Sequence, residues 1–254
     1  MSLRTTAAAA AALALAAVGF GPTAHADEVK VFSSVAMRAV LEELAPRFEH
    51  ETQHHIVATF GLAAQLKARI ESGEAYDIAI LTPAQIDDLV AKGKAAGASR
   101  AVIARTGLGL MVKSGAPKLD IATVEAFKQT LLSAQSLTYV PAGASGVAFK
   151  ATAETLGIAA ALEAKTRAAA SGEEVNANVL GGVAAIAVLP VSEILPVQGA
   201  ALGGVFPADA QTYIVMAGAT SSTAPQAARE FVALLAAHST DAVIKAKGME
   251  RVQP

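Results

Sequence analysis

Apolar positions along the chain switch between short contiguous runs and a three-to-four-residue spacing, the two signatures of strand and helix. Glu28 to Phe32 reads as a short strand, and Val35, Leu41, Leu44 and Phe48 then share roughly one face of a helix from Val35 to Glu51. His54 to Phe60 reads as a second strand and Leu62 to Glu71 as a helix stopped by Ser72-Gly73. Asp77 to Leu81 is a third strand, followed by Pro83 at the first position of a helix to about Lys92. Strands alternating with helices predict parallel strands joined by crossovers. The alternation resumes with strands over Leu108–Val112 and Leu137–Val140 and helices over Val124–Leu132 and Ser145–Leu156, the latter ending at Gly157. Strands over Ala184–Leu189 and Tyr213–Met216 and helices over Pro225–Ala237 and Asp241–Lys247 close the chain. With no long Gly/Ser-rich linker and no repeat of fixed period, the pattern predicts two α/β modules joined by short connections.

Residues 1–26 follow a different rule. Arg4 supplies a positive start, Ala7 to Val18 an apolar stretch, and Ala24-His25-Ala26 a small-x-small site before Asp27. This is the pattern of a cleaved secretory signal, and the apolar stretch is short for a membrane span. The expected compartment is a bacterial periplasm.

Composition narrows the function classes. The 254 residues carry 20 Lys plus Arg against 22 Asp plus Glu, a formal charge of −2, which argues against a nucleic-acid partner. Hydrophobic residues make up 53% and charged ones 17%, too apolar for a disordered chain. Aromatics are 4% with no Trp, so stacking platforms for flat ligands are not expected. The absence of cysteine excludes disulfides, thiolate metal sites and cysteine nucleophiles.

Open parallel sheets bind ligands where strand ends lead into helix starts, which directs attention to the segments after Phe32, Phe60, Leu81, Val140 and Leu189. Ser33-Ser34 offers two hydroxyls there, for N-capping or for an anion. Phe60-Gly61-Leu62-Ala63 offers backbone N–H groups and no hydroxyl. Pro141-Ala-Gly-Ala-Ser-Gly146 brings small residues and Ser145 to another helix start, where Gly146 lets the backbone approach a ligand. Arg105, before Gly107-Leu-Gly109, reads either as a surface arginine or as a bidentate partner for a carboxylate or oxyanion. Ser192-Glu193 follows a strand, and Glu193 reads as a base, an acceptor or a structural cap. His50, His54 and His55 read as surface or capping residues, because adjacent strand positions point to opposite faces. No metal site, nucleotide fingerprint or catalytic triad is expected.

Together these segments carry a resemblance. Val31-Phe-Ser-Ser-Val-Ala-Met37, Leu44-Ala-Pro-Arg-Phe-Glu49, Phe60-Gly61 and Tyr76-Asp-Ile-Ala-Ile80 resemble the molybdate-binding family of periplasmic solute-binding proteins. Arg105 to Pro117, Ser192 to Pro196 and Lys247-Gly-Met-Glu250 resemble a branch of it that is also similar to aconitate isomerase. The resemblance implies the type 2 periplasmic binding fold: two α/β lobes, a ligand cleft between them, and two crossing strands near Gly107–Lys113 and Gln211–Ala217. One lobe is then expected over 27–107 and 216–254, the other over 108–215. It implies an anion held by Ser33 or Ser34, with Leu62 and Ala63 at the place of a second family donor; the strand-end segments themselves add Arg105, Ser145, Gly146 and Ser192 as candidates around it. Leu62-Ala63 stands where the family has a second serine and Pro190 where its molybdate binders have a tyrosine, so anions other than molybdate are favoured. The first reading is a monomeric binding protein that captures a small oxyanion or polycarboxylate for the permease of an ABC importer, without cofactor or metal. The second is an aconitate isomerase, with Glu193 as the candidate base.

Overall fold

A computed structural model describes residues 27–252; the candidate signal segment, 1–26, lies outside them. In chain order the elements are β1 (Glu28–Ser34), α1 (Arg38–Thr52), β2 (His55–Gly61), α2 (Ala63–Glu71), β3 (Ile78–Leu81), α3 (Pro83–Ala91) and β4 (Ala101–Lys113). There follow α4 (Val124–Ser133), β5 (Leu137–Tyr139), α5 (Ala144–Thr155), α6 (Ala159–Glu163), β6 (Thr166–Ala168), α7 (Gly172–Leu180), β7 (Ile186–Pro190) and α8 (Val191–Ile194). The chain ends with β8 (Ala200–Val205), β9 (Tyr213–Thr220), α9 (Gln226–Ala236) and α10 (Asp241–Ala246).

The strands run in the order β2-β1-β3-β9-β4-β7-β5-β6, with β8 added beside β4. β1 lies parallel to both β2 and β3, as helical crossovers require, and β5 lies parallel to β6 and β7. β4 belongs to both halves. Its residues Ala101–Gly107 pair antiparallel with β9, and Leu108–Lys113 pair with β7 and β8. The ladder to β9 ends at Gly107 opposite Tyr213, and the Gln211 side chain continues it: Leu108 N–H donates to Gln211 Oε1 at 2.7 Å and Gln211 Nε2 donates to Leu108 O at 3.1 Å. The apolar pattern expects a strand only from Leu108, because Arg105 and Thr106 interrupt it; pairing with β9 keeps that stretch extended.

Helices cover both faces of the sheets, so central strands are apolar throughout. β3 is buried along its whole length. Its Ile78 and Ile80 face a core shared with α1 and α9, and its Ala79 and Leu81 face another shared with α2 and α3. α9 packs on β4 and β9, and Phe231 meets Phe48 of α1 at 5.0 Å between ring centres. The helix expected from Val35 begins instead as a 3₁₀ turn over Val35–Met37 before α1. Among the described residues no helix is long and apolar enough to cross a membrane.

Candidate functional site

The carboxyl ends of β1, β2, β5 and β7 open onto one small chamber of about 40 Å³ between the two halves. Ser34, Leu62, Ala63 and Ser145 all line it, together with Gly143, Gly172, Pro190 and Glu193. The lining segments are the starts of helices. α2 begins after Leu62, α5 after Gly143 and α8 after Pro190, and none has a side chain capping its first turn. Thr123 caps α4 by accepting from Ala126 N–H at 3.1 Å, and Ser171 caps α7 by accepting from Glu174 N–H at 3.2 Å. Helix starts carry N–H groups without intrahelical partners and a partial positive charge, so the uncapped starts give the chamber an anion-attracting wall.

The candidate residues separate by role. Ser34 faces the chamber, whereas Ser33 is fully buried within β1, flanked by β2 and β3, and donates to Ser34 O at 3.1 Å. Gly146 is a packing residue: a Cβ there would lie 1.9 Å from Val140 O, so only glycine lets α5 start this close to the end of β5. Leu62 contributes an apolar contact, packing from the β1–β3 side against the cluster that holds Val140 and Leu189 on the other. Pro190 stands in the chamber wall without a hydroxyl.

Arg105 lies apart from the chamber lining. Its backbone exchanges hydrogen bonds with Glu250 at 2.8 Å each way, its guanidinium meets Glu250 Oε1 at 2.8 Å, and it stacks 4.0 Å over the Tyr213 ring. The next residue, Thr106, accepts from Ser192 N–H at 3.3 Å and donates to Gly248 O at 3.1 Å. These contacts tie the crossing strands to the C-terminal segment. The histidines are local: His54 Nδ1 accepts from Asp27 N–H at 3.1 Å, and His55 Nδ1 lies 2.8 Å from Glu49 Oε1. Among the described residues no group of three or more His, Asp or Glu is placed to hold a metal ion.

Behind the chamber a larger annex of about 270 Å³ runs between α1 on one side and α7 and α8 on the other. Glu193 lines both spaces. Burial, with a smaller contribution from the charge of Glu173, pushes its carboxyl up to about 7 against the pull of Arg38. Near neutral pH the group therefore exchanges its proton readily, as a general acid or base must. Gly172, Glu173 and Asn176, all on α7, also line the annex. The hydrophobic pattern passes over α7, yet Ser171-Gly-Glu-Glu174 carries its signature: a capping serine with glutamate three residues on.

Two α/β halves joined by crossing strands, with helix starts converging on a cleft between them, define a type 2 periplasmic binding fold. The model of the bacterial extracellular solute-binding protein family matches residues 29–250, and the chain belongs to that family. It is 30% identical over 229 residues to an aconitate isomerase of Pseudomonas sp., covering 87% of each chain. It is also similar in structure to the periplasmic molybdate-binding protein of Azotobacter vinelandii, with a TM-score of 0.74, 21% identity, and coverage of 89% of this chain and 99% of that one. The sulfate-binding protein SubI of Mycobacterium tuberculosis superposes with a TM-score of 0.72 and 16% identity, over 90% of this chain and 88% of that one.

Proposed function

We propose that this chain captures a small anion in the chamber between its lobes and delivers it, as a monomer in the periplasm, to the permease of an ABC importer. The carrying observation is the convergence of the uncapped starts of α2 and α5 with Ser34 and Ser145 on one chamber. An anion there takes up N–H groups of the kind that Thr123 and Ser171 satisfy at the starts of α4 and α7. In this reading the lobes are 27–107 with 216–254, and 108–215, and cleavage after Ala26 releases the mature chain. Closure about the crossing strands buries the anion. A thermal-shift screen tests it: oxyanions or polycarboxylates should raise the melting temperature, since a ligand at 100 times its Kd adds about 2.7 kcal/mol. Stabilisation by sugars or amines alone would sink the reading.

A second reading is favoured by Glu193 and by the 30% identical aconitate isomerase. Interconverting trans- and cis-aconitate breaks a C–H bond at the CH₂ carbon, shifts the double bond, and returns a proton to the other end of the three-carbon unit. One carboxylate can take and return that proton, and Glu193 is the group in the cleft with the required poise. Incubation with trans-aconitate, followed by NMR in deuterated water, separates the readings. Turnover that disappears in Glu193→Gln while binding persists makes the protein an isomerase; unchanged substrate leaves it a binder.

A further inference from the structure

The chamber has a single titratable side chain among its lining residues, and it is a carboxyl. Glu193 stands there beside Ser34, Leu62 and Ser145, with no Lys, Arg or His in the wall. The sequence leaves that carboxyl without a partner. Glu193 is the third residue of α8, the position from which a glutamate usually reaches back to the N–H of the capping residue; here the capping residue is Pro190, which has no N–H to give. Among the described residues, what acts on the carboxyl is burial and the charges of Glu173 and Arg38, with no hydrogen bond. The charged residues that face it across the annex are Arg38 and Glu42 on α1 and Glu173 on α7. Arg38 is engaged elsewhere, 4.4 Å over the Phe60 ring and 3.4 Å from Glu173 Oε1, and Glu42 is exposed. A Cβ on Gly172 would stand 3.4 Å from Glu193 Oε2, so the carboxyl lies against the start of α7, whose first turn Ser171 already caps.

We propose that Glu193 holds a proton whenever the chamber holds an anion and donates it in a hydrogen bond to that anion, so that anion capture and proton uptake are one event. An ionised Glu193 would put two negative charges around a space of about 40 Å³. A like charge that close favours the neutral carboxyl. One water takes about 30 Å³ in the liquid, so little solvent remains to screen the pair. The neutral carboxyl instead offers an O–H, and a hydrogen bond to an anion is of the strong, charge-assisted kind. Without an anion the carboxyl is already pushed up to about 7 by burial; an anion beside it pushes it higher. Linkage fixes the sign. Below the free carboxyl's value the proton is in place before the anion arrives, and affinity is level with pH. Above it the proton must be taken from solvent, and affinity falls as pH rises. The proposal rests on the reading of the chamber as an anion site and adds how that site is regulated. It gives Glu193 the acid form in the complex, the opposite of what a base awaiting its substrate requires.

Titration calorimetry on the full mature chain tests it with sulfate and trans-aconitate, both fully ionised at neutral pH. For whichever probe binds, Kd should be level below about pH 6 and rise about tenfold per pH unit above about pH 7.5, the slope of one linked proton. Titrations near pH 8 in buffers of different ionisation enthalpy should count close to one proton taken up per anion. Glu193→Gln, whose amide donates at every pH, should bind with a single Kd across the range and take up no proton. Ser34→Ala should weaken binding and keep the wild-type slope. A wild-type Kd that stays level to about pH 8.5, or a proton count near zero, overturns the proposal and leaves the anion reading standing. A slope that survives in Glu193→Gln does the same, because it places the proton on another group. Turnover of trans-aconitate that is lost in Glu193→Gln, with no proton taken up on binding, overturns it in favour of the base role. A wild type that binds neither probe at any pH overturns both the proposal and the anion reading.

Discussion

Ser33 and Ser34 are adjacent in sequence and opposite in circumstance. Because the side chains of a strand alternate, only one of the pair can face the chamber, and Ser34 does. Ser34→Ala should weaken anion binding by about tenfold, the worth of a hydrogen bond to a charged group, while Ser33→Ala, inside the sheet, should leave affinity unchanged in the same titration. Glu193 makes a prediction about pH. Its folded carboxyl titrates at about 7 against 4.5 as the ordinary value, so between those two the folded state holds a proton that the unfolded state has released. Stability is therefore lost as pH rises through that window. Glu193→Gln should match the wild type near pH 5 without ligand and exceed its melting temperature by several degrees near pH 8, given about 2–4 °C per kcal/mol for a chain of this size. A constant offset at every pH would contradict the assignment.

At the level of elements, the start of α5 depends on one glycine. Gly146→Ala places a methyl group 1.9 Å from Val140 O, a backbone atom that cannot turn aside. The expected cost exceeds about 3 kcal/mol, read as a large fall in the urea midpoint or as insoluble expression. The sequence shows Gly146 as a small residue at a helix start; that its smallness serves packing emerges only when the β5 end is seen against it. Much of the first sheet was legible because β1, β2 and β3 carry contiguous apolar runs divided by clear helical periods. The first half of β4 was not, since its regularity comes from β9, more than a hundred residues downstream. The apolar pattern does not mark α7, because its exposed face and Asn176 dilute the period, and it hides the annex that α7 lines. Arg105 reads from sequence as either a surface arginine or an anion partner, because nothing in the local sequence shows Glu250 lying beside it.

For the whole molecule, the two halves meet over apolar surface more than over charge. The cross-cleft pair Arg38–Glu173 is exposed and long, and such pairs contribute roughly 0–1 kcal/mol. Leu62, by contrast, packs half-buried against the opposite half. Leu62→Ser should loosen that contact and place a hydroxyl at the uncapped start of α2; affinity for tetrahedral oxyanions should rise relative to organic acids, as competition titrations would show. The shared strand β4 has a further consequence for how the chain is assembled. Everything between Gly107 and Tyr213 is an excursion that leaves and re-enters the first sheet at directly opposed positions. Opposed residues of an antiparallel ladder lie about 5 Å apart, a gap that a two-residue turn closes. A spliced gene joining Gly107 to Tyr213 through Asn-Gly should therefore encode a miniature that keeps the five-stranded sheet and its helices, detectable as a cooperative melt with mixed α/β circular dichroism. An unfolded product would show that the excursion is needed to build the sheet from which it departs.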